Sequence, residues 1–414
     1  GTCLNEGCVP AKNFLETSSY IAKANYFKNC GVTTNSNTLN IEALQSSTNV
    51  LIDDLKTAIH NKLKKAKVTT KYGIASFIDP HTIKVDNEIN ETISAENIVI
   101  ASGSSHRDHP LLKLESDKII SSREVFELKE IPKSLLIIGG GAIGCEFASF
   151  YNALGTEVEI AEFTPNLVPA EDSDIAKALK REFEKKGMKV YLNANVSDYT
   201  VLDDGVKVQI DLPKKSEEKS YEKVLVSIGR VPNSDSLELD TVGIESDRGF
   251  IEVNENLQTT KYPHIYAIGD VIKSPALAHV AYYEAKRVAQ MILEEEVMSD
   301  EYIWPAVTFS TPQIGSIGKG EKELKEAGIT FKNKKLFLKS NAKAKIKGDD
   351  SGFVKVLYEE ESQKVLGASI IGTDATELIH QFLIAINAKL TLKDLEKMVF
   401  AHPTLSESTL DLLV

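Results

Sequence analysis

The sequence predicts a multidomain α/β protein closed by an α+β domain. Three observations carry that reading. Residues 134–163 run as strand, glycine turn, helix and strand; short strand-like stretches flank them on both sides; and after Trp304 the pattern changes to strands, a helix, more strands and two helical runs. A chain of 414 residues is long enough for two to four domains, each with its own core.

The elements follow in order. Residues 13–28 and 41–67 mix apolar and polar positions as helices do, the second ending rich in lysine. VTTKYG, ASFIDPHTIKV and NIVIASG then read as short strands, followed by a loop containing Pro110. Residues 175–187 form an amphipathic helix, and 189–228 alternate as strands, with KKSEEKS at 214–220 expected as a charged hairpin tip. IYAIGD at 265–270 is a buried strand ending in Gly-Asp, and 276–293 is helical. The last helical runs fall near 374–388 and 391–399. There is no short-period repeat.

Composition removes some classes of function. The formal net charge of −12 argues against a general nucleic-acid binder, which needs a basic face for phosphates. No apolar run is long enough for a transmembrane helix, so no membrane partner is expected. Four cysteines do not make a secreted disulfide scaffold; a close pair among them points to catalysis, redox chemistry or metal binding.

Gly139, Gly141 and Gly144 form G-x-G-x-x-G between the apolar run SLLII and an amphipathic helix. The first glycine permits the tight turn. The second lets the backbone approach a pyrophosphate, and the third lets helix and strand pack closely. Phosphate would then face the N–H groups at the helix N-terminus. Glu162 lies 23 residues past Gly139, at the end of EVEIAE, where a carboxylate accepts ribose hydroxyls and repels a 2′-phosphate. No Arg or Lys stands between Glu162 and Glu171, which favours NAD over NADP. The plainer alternative is a glycine-rich turn with no ligand.

The chain opens with GTCLNEGCVPAK. An uninterrupted helix would hold the Cα atoms of Cys3 and Cys8 roughly 8–9 Å apart, whereas a disulfide needs less than about 7 Å. If the two bond, the backbone between them is irregular; Gly7 supplies that freedom and Pro10 can restart a helix in its first turn. A cysteine at a helix N-terminus near Lys12 has its thiolate favoured. A zinc site would need two further ligands, and an inert buried pair is the remaining alternative. Cys30 and Cys145 are expected in the core. AHPTLSE places His402 and Glu407 five residues apart, a spacing at which a carboxylate can orient an imidazole.

Taken together these motifs resemble the flavoprotein disulfide reductases of pyridine nucleotides, and within them most closely the dihydrolipoamide dehydrogenases. The resemblance covers essentially the whole chain. GTCLNEGCVPAK resembles the redox-disulfide helix, IVIASGS the ATG-type strand, IIGGGAIGCEFA the NAD loop, SIGRVPN the GRxPN loop, and YAIGDV the second flavin-contact motif. SNAKAKIKGDDSGFVKVL and HPTLSE resemble the dimerisation domain.

The implied fold is α/β: two Rossmann-like FAD- and NAD-binding domains plus a C-terminal α+β dimerisation domain. Residues 1–116 would belong to the FAD domain, 117–238 to the NAD domain, 239–302 to a central segment completing the FAD domain, and 303–414 to the dimerisation domain. Cys3 would be the interchange thiol and Cys8 the thiol against the flavin. Lys12 would approach the flavin ring and pair with Glu146. Asp270 would bind the ribityl chain, with Ala276, Leu277, Ala278 and His279 along the isoalloxazine. Gly73, Ser102 and Gly103 would contact the adenosine half. Gly139, Gly141, Gly144, Glu162, Val196 and Gly229 would bind NAD. His402, oriented by Glu407, would act as acid–base for the thiols of the other subunit, which makes a homodimer obligatory.

The implied reaction is dihydrolipoyl group plus NAD giving lipoyl disulfide plus NADH in a cytoplasmic enzyme serving cell redox homeostasis. Its partners would be the lipoyl domains of 2-oxoacid dehydrogenase or glycine cleavage complexes. The sequence departs from the pattern at several points. Ser102 replaces a threonine, Ala11 a serine, and Phe400 and Thr311 stand where histidines are usual. No G-x-G-x-x-G precedes the cysteines, so a longer natural protein with an upstream βαβ portion is expected. A reductase of another disulfide, thiol or mercuric substrate, and a catalytically silent NAD-binding fragment lacking FAD, are the competing readings.

Overall fold

Gly7 breaks the first helical stretch in two. The helix Thr2–Glu6 ends there, at φ −135° and ψ −113°, and a 22-residue helix, Cys8–Asn29, follows at once. A Cβ on Gly7 would sit 2.8 Å from the Thr2 carbonyl oxygen, so the break needs glycine. Pro10 falls in the first turn of the second helix, where its missing N–H costs nothing. The irregularity expected between the cysteines is present. The computed structural model describes residues 1–33, 38–86, 88–114 and 117–413. The expected boundary at residue 116 falls on a residue outside these.

The chain divides into two units, each assembled from separated segments. The first comprises residues 1–8, 49–107 and 230–302. Its strands Ile74–Asp79, Thr82–Asp86 and Glu91–Ser94 form an antiparallel meander. Ile98–Ile100 pairs in parallel with Ile265–Ala267, and Ser104–His106 pairs antiparallel with Arg230–Pro232. Phe77, Ile98, Ile100, Ile251, Ile265 and Val271 pack into one core here. VTTKYG is not a strand: pairing starts only at Ile74, because Val68 and Tyr72 face solvent and leave that stretch no buried side.

The second unit comprises residues 9–48, 108–229 and 303–414. Its parallel sheet has the order Ile119–Ser121, Lys223–Val226, Ser134–Ile138, Glu157–Glu162, Lys189–Leu192. The inner strands SLLII and EVEIA are buried on both faces, as parallel strands covered by helices must be. The helices Ala142–Ala153 and Ser173–Lys185 follow the second and third of these strands in sequence. A three-stranded antiparallel sheet, Asn195–Leu202, Gly205–Leu212 and Lys215–Tyr221, follows. KKSEEKS is therefore mostly strand, and the turn is confined to Pro213–Lys214. The strand forms because Tyr221 and Lys219 turn to one face, where a buried carboxylate awaits them.

The C-terminal part of this unit is an antiparallel sheet in the order Ala306–Thr308, Gln313–Gly318, Val365–Gly372, Phe353–Glu359, Phe331–Phe337. The helix Ala375–Asn387 packs on it through Leu378, Ile379 and Phe382. Cys145 is buried in the core of the unit, as expected. Cys30 is not: the helix has ended at Asn29 and the chain turns at Gly31, φ +92°, leaving the thiol exposed.

Candidate active site

The helical break puts Cys3 and Cys8 on successive helices, Cys3 half-buried and Cys8 exposed as the first residue of its helix. The positive end of a helix stabilises a thiolate placed there. One turn on, the Lys12 ammonium lies 3.0 and 2.9 Å from the two oxygens of Glu146, a buried residue of the helix Ala142–Ala153. Glu146 Oε1 also accepts the Phe309 N–H at 2.9 Å, and the Lys12 Nζ lies 4.8 Å from the centre of the Phe309 ring. One helical turn along, Ser149 accepts the Thr311 N–H at 2.9 Å. The paired Lys12 and Glu146 were legible in sequence; Phe309 was not, since nothing in FST marks an amide that caps a buried carboxylate.

The glycine loop has the geometry its spacing implies. Gly139 has φ +103°, and a Cβ there would strike the Ser227 carbonyl; one on Gly144 would strike the Gly139 carbonyl. These two glycines are fixed by close backbone approach. Around Gly141 the space is open, and no side chain caps the helix that starts beside it, so its first N–H groups face that space. Glu162 closes the next strand, buried, with Oε2 accepting Gly140 N–H at 2.6 Å and Oε1 accepting Thr164 N–H at 2.7 Å. A carboxylate has about four acceptor sites, so capacity for ribose hydroxyls is left. The Val196 side chain is in the core, so a contact with a ligand there would be made by its backbone. Gly229, at φ +113°, has open space beside it.

In the other unit the motifs IVIASGS and GRVPN meet, although some 130 residues separate them. Asn233 donates its backbone N–H to Gly103 O at 2.9 Å and its side-chain amide to Ser102 O at 3.0 Å. Arg230 Nε donates to Ser104 Oγ at 2.6 Å, and Ser104 in turn donates to Asp270 Oδ2 at 2.5 Å; Arg230 Nε stands 3.7 Å from the same carboxylate. Ser104 and Arg230 thus form one hydrogen-bonded cluster with Asp270, although neither was named as a candidate from sequence. Ala276 and Leu277 precede the helix Ala278–Ile292, which opens with Ala278 and His279; Gly73 immediately precedes the strand Ile74–Asp79.

Near the C-terminus His402 Nδ1 lies 2.8 Å from Glu407 Oε1, while Glu407 Oε2 accepts Thr404 N–H at 2.7 Å. The Thr404 N–H and then His402 hold the Glu407 carboxyl below its usual range. A carboxylate can only accept, so Nδ1 donates to it; in the neutral ring Nε2 then carries the lone pair, and the ring is exposed.

A sequence model described as pyridine nucleotide-disulphide oxidoreductase matches residues 1–285, and one for the dimerisation domain of the same proteins matches residues 304–412. The chain belongs to the pyridine nucleotide-disulfide oxidoreductase family. It is 34% identical to a dihydrolipoyl dehydrogenase of Haemophilus influenzae over 99% of its own length and 86% of that protein. It is 36% identical to the mitochondrial dihydrolipoyl dehydrogenase of Pisum sativum over 99% and 82%. The solved HOCl-induced flavoprotein disulfide reductase RclA of Escherichia coli superposes with a TM-score of 0.88 at 27% identity, covering 100% of this chain and 91% of that one. The chain is therefore a flavoprotein disulfide oxidoreductase, an enzyme of a family that works with FAD and NAD, and its dimerisation domain supports a homodimer. Among the described residues no helix is long and apolar enough to cross a membrane.

The residues present fit these cofactors. The open space at Gly141, the uncapped helix start and the buried Glu162 suit the pyrophosphate and ribose of NAD. Gly103, φ +71° with open space beside it, and the oriented Asp270 suit a hydroxyl-rich cofactor chain such as that of FAD.

Proposed function

We propose that the chain is a dihydrolipoamide dehydrogenase, oxidising protein-bound dihydrolipoyl groups and passing the electrons to NAD+. The observation that carries this reading is the Gly7 break, which places Cys3 and Cys8 on separate helices with Cys8 at a helix start. The names of the relatives support the substrate.

The thiol chemistry is exchange. With Cys3 and Cys8 joined as a disulfide, a dihydrolipoyl thiolate attacks the Cys3 sulfur, forming a mixed disulfide as the Cys8 thiolate leaves. The second dihydrolipoyl thiolate then closes the lipoyl ring and releases the Cys3 thiolate. Each attack needs a deprotonated thiol, and His402 Nε2, oriented through Nδ1 by Glu407, is the base that receives the proton. Bound FAD supplies the two-electron acceptor between the Cys8 thiolate and NAD+. Lys12, held by Glu146, Asp270, Gly73, Ser102, Gly103 and the 276–279 segment are assigned to FAD. Gly139, Gly141, Gly144, Glu162, Gly229 and the backbone of Val196 are assigned to NAD. Residues 1–116 and 239–302 are assigned to the FAD domain and 117–238 to the NAD domain. His402 serves the thiols of the second copy. Lipoyl domains of 2-oxoacid dehydrogenase or glycine cleavage complexes are the proposed partners, and the cytoplasm, where thiols cycle freely, the proposed compartment.

The test is anaerobic turnover of dihydrolipoamide with NAD+. NADH formation is expected, abolished in Cys3→Ser and Cys8→Ser and reduced on the order of 100-fold or more in His402→Ala. NADP+ should be used poorly because of Glu162. Absence of NADH formation, with NADH-dependent reduction of some other disulfide, would transfer the assignment to a different substrate. Full turnover by His402→Ala would remove that residue from the chemistry.

A further inference from the structure

One buried carboxylate holds both ends of the loop that carries Asp270. Glu284, in the helix Ala278–Ile292, is only 2% exposed. Its Oε2 accepts the Gly269 N–H at 2.7 Å, and its Oε1 accepts the Ser274 hydroxyl at 2.5 Å and the Tyr302 hydroxyl at 3.3 Å. A buried carboxyl group is costly unless its acceptor sites are filled, and here three neutral donors fill them.

The grip falls where the backbone is least ordinary. Gly269 has φ +70°, and a Cβ there would lie 3.3 Å from the Ala281 Cβ, so the turn admits no larger residue without strain. The next residue is Asp270, whose carboxylate is aimed by Ser104 and Arg230. Its backbone is thus set from one side by Glu284 and its side chain from the other. We propose that Glu284 is a positioning residue for the flavin: it fixes the Gly269–Ser274 loop so that Asp270 presents its carboxylate to the cofactor. The proposal rests on the assignment of Asp270 as a flavin anchor.

The experiment is an FAD titration of the full chain, read by flavin fluorescence and the visible spectrum of the bound flavin, with NAD affinity measured in parallel. Glu284→Ala leaves the Gly269 N–H and the Ser274 hydroxyl without their acceptor, and FAD Kd should rise about tenfold or more. The flavin spectrum should shift while NAD affinity stays unchanged. Glu284→Gln, which can still accept from Gly269, should recover most of the affinity. If Glu284→Ala does not yield folded protein, Ser274→Ala decides, with a rise of about threefold expected. Asp270→Asn separates the two ideas. An unchanged Kd in Asp270→Asn overturns the anchor assignment and the proposal with it. A raised Kd there, with wild-type affinity and spectrum in Glu284→Ala or Ser274→Ala, overturns the positioning role alone.

Discussion

Glu146 shows how much a single residue carries. It is buried, yet its charge is matched by Lys12 and by the Phe309 N–H. Removing the acid strands a cation and an amide together, which costs more than a surface ion pair is worth. Glu146→Ala should lower unfolding stability by about 2–4 kcal/mol in urea titrations, and Glu146→Gln, which can still accept from Phe309, by roughly half as much. Losses within about 0.5 kcal/mol for both would show that the contact carries no weight. The Lys12–Glu146 pair was readable because each residue sits inside a motif of fixed spacing. Ser104 and Arg230 also sit inside motifs, but nothing in those motifs shows that the two side chains meet at Asp270; Glu284 lies in no motif, and its partners include the backbone of a loop. Cys30 was misread because it was assigned to the core by residue type, although Gly31 directly after it marks the end of the helix and turns the chain there.

At the scale of elements, the strand Lys215–Tyr221 is the instructive case. Its sequence is almost wholly charged or polar, so it shows no hydrophobic alternation. What it shows instead is alternation toward one acid. Glu159, in the parallel strand Glu157–Glu162, accepts from Lys189 at 2.8 Å, from Lys219 at 3.0 and 3.2 Å, from Tyr221 at 2.7 Å and from Tyr191 at 3.1 Å. Burial alone would raise its pKa, but the bonds from Lys189, Tyr221 and Lys219 outweigh it and bring the carboxyl down to about 2. A depressed carboxyl stabilises the fold above its ordinary value of 4.5, and that contribution is lost as the pH falls toward 2. The loss amounts to about 3 kcal/mol at most. Glu159→Gln should therefore be less stable than wild type at pH 6, with the gap closing as acid is added. A constant gap between pH 6 and pH 2.5 would mean that packing, not charge, accounts for the site.

For the molecule as a whole, the ordered motifs made the family legible and, through the resemblance, the return of a central segment to the first domain; what they did not show is that residues 9–48 group with the later segments rather than with residues 1–8, because composition does not change where the chain crosses over. Nor did they show the polar seam inside the second unit. There Lys355, 1% exposed on the antiparallel sheet, lies 2.7 Å from Asp172 and 2.8 Å from Asp174 at the head of the helix Ser173–Lys185, and 3.3 Å from Glu321. A lysine in the middle of FVKVLYE gives no sign in sequence that two of its partners, Asp172 and Asp174, lie more than 180 residues upstream. Beside it Glu171 accepts from Ser316 at 3.0 Å. Burial raises the Glu171 carboxyl to about 7; the Ser316 bond and the Lys355 charge pull it down, and neighbouring Asp172 pushes it up. The sign is opposite to that of Glu159. The folded protein holds a proton on Glu171 that the unfolded chain releases near 4.5, so this group's support is complete below 4.5 and is lost as the pH rises through 7. Gln cannot ionise yet can still accept from Ser316. Glu171→Gln should therefore match wild type near pH 4.5 and exceed it by about 2–3 kcal/mol at pH 8. Urea unfolding of both proteins at the two pH values measures the difference. An equal difference at both would mean that Glu171 is already ionised in the folded state at low pH, with Lys355 rather than a proton balancing it.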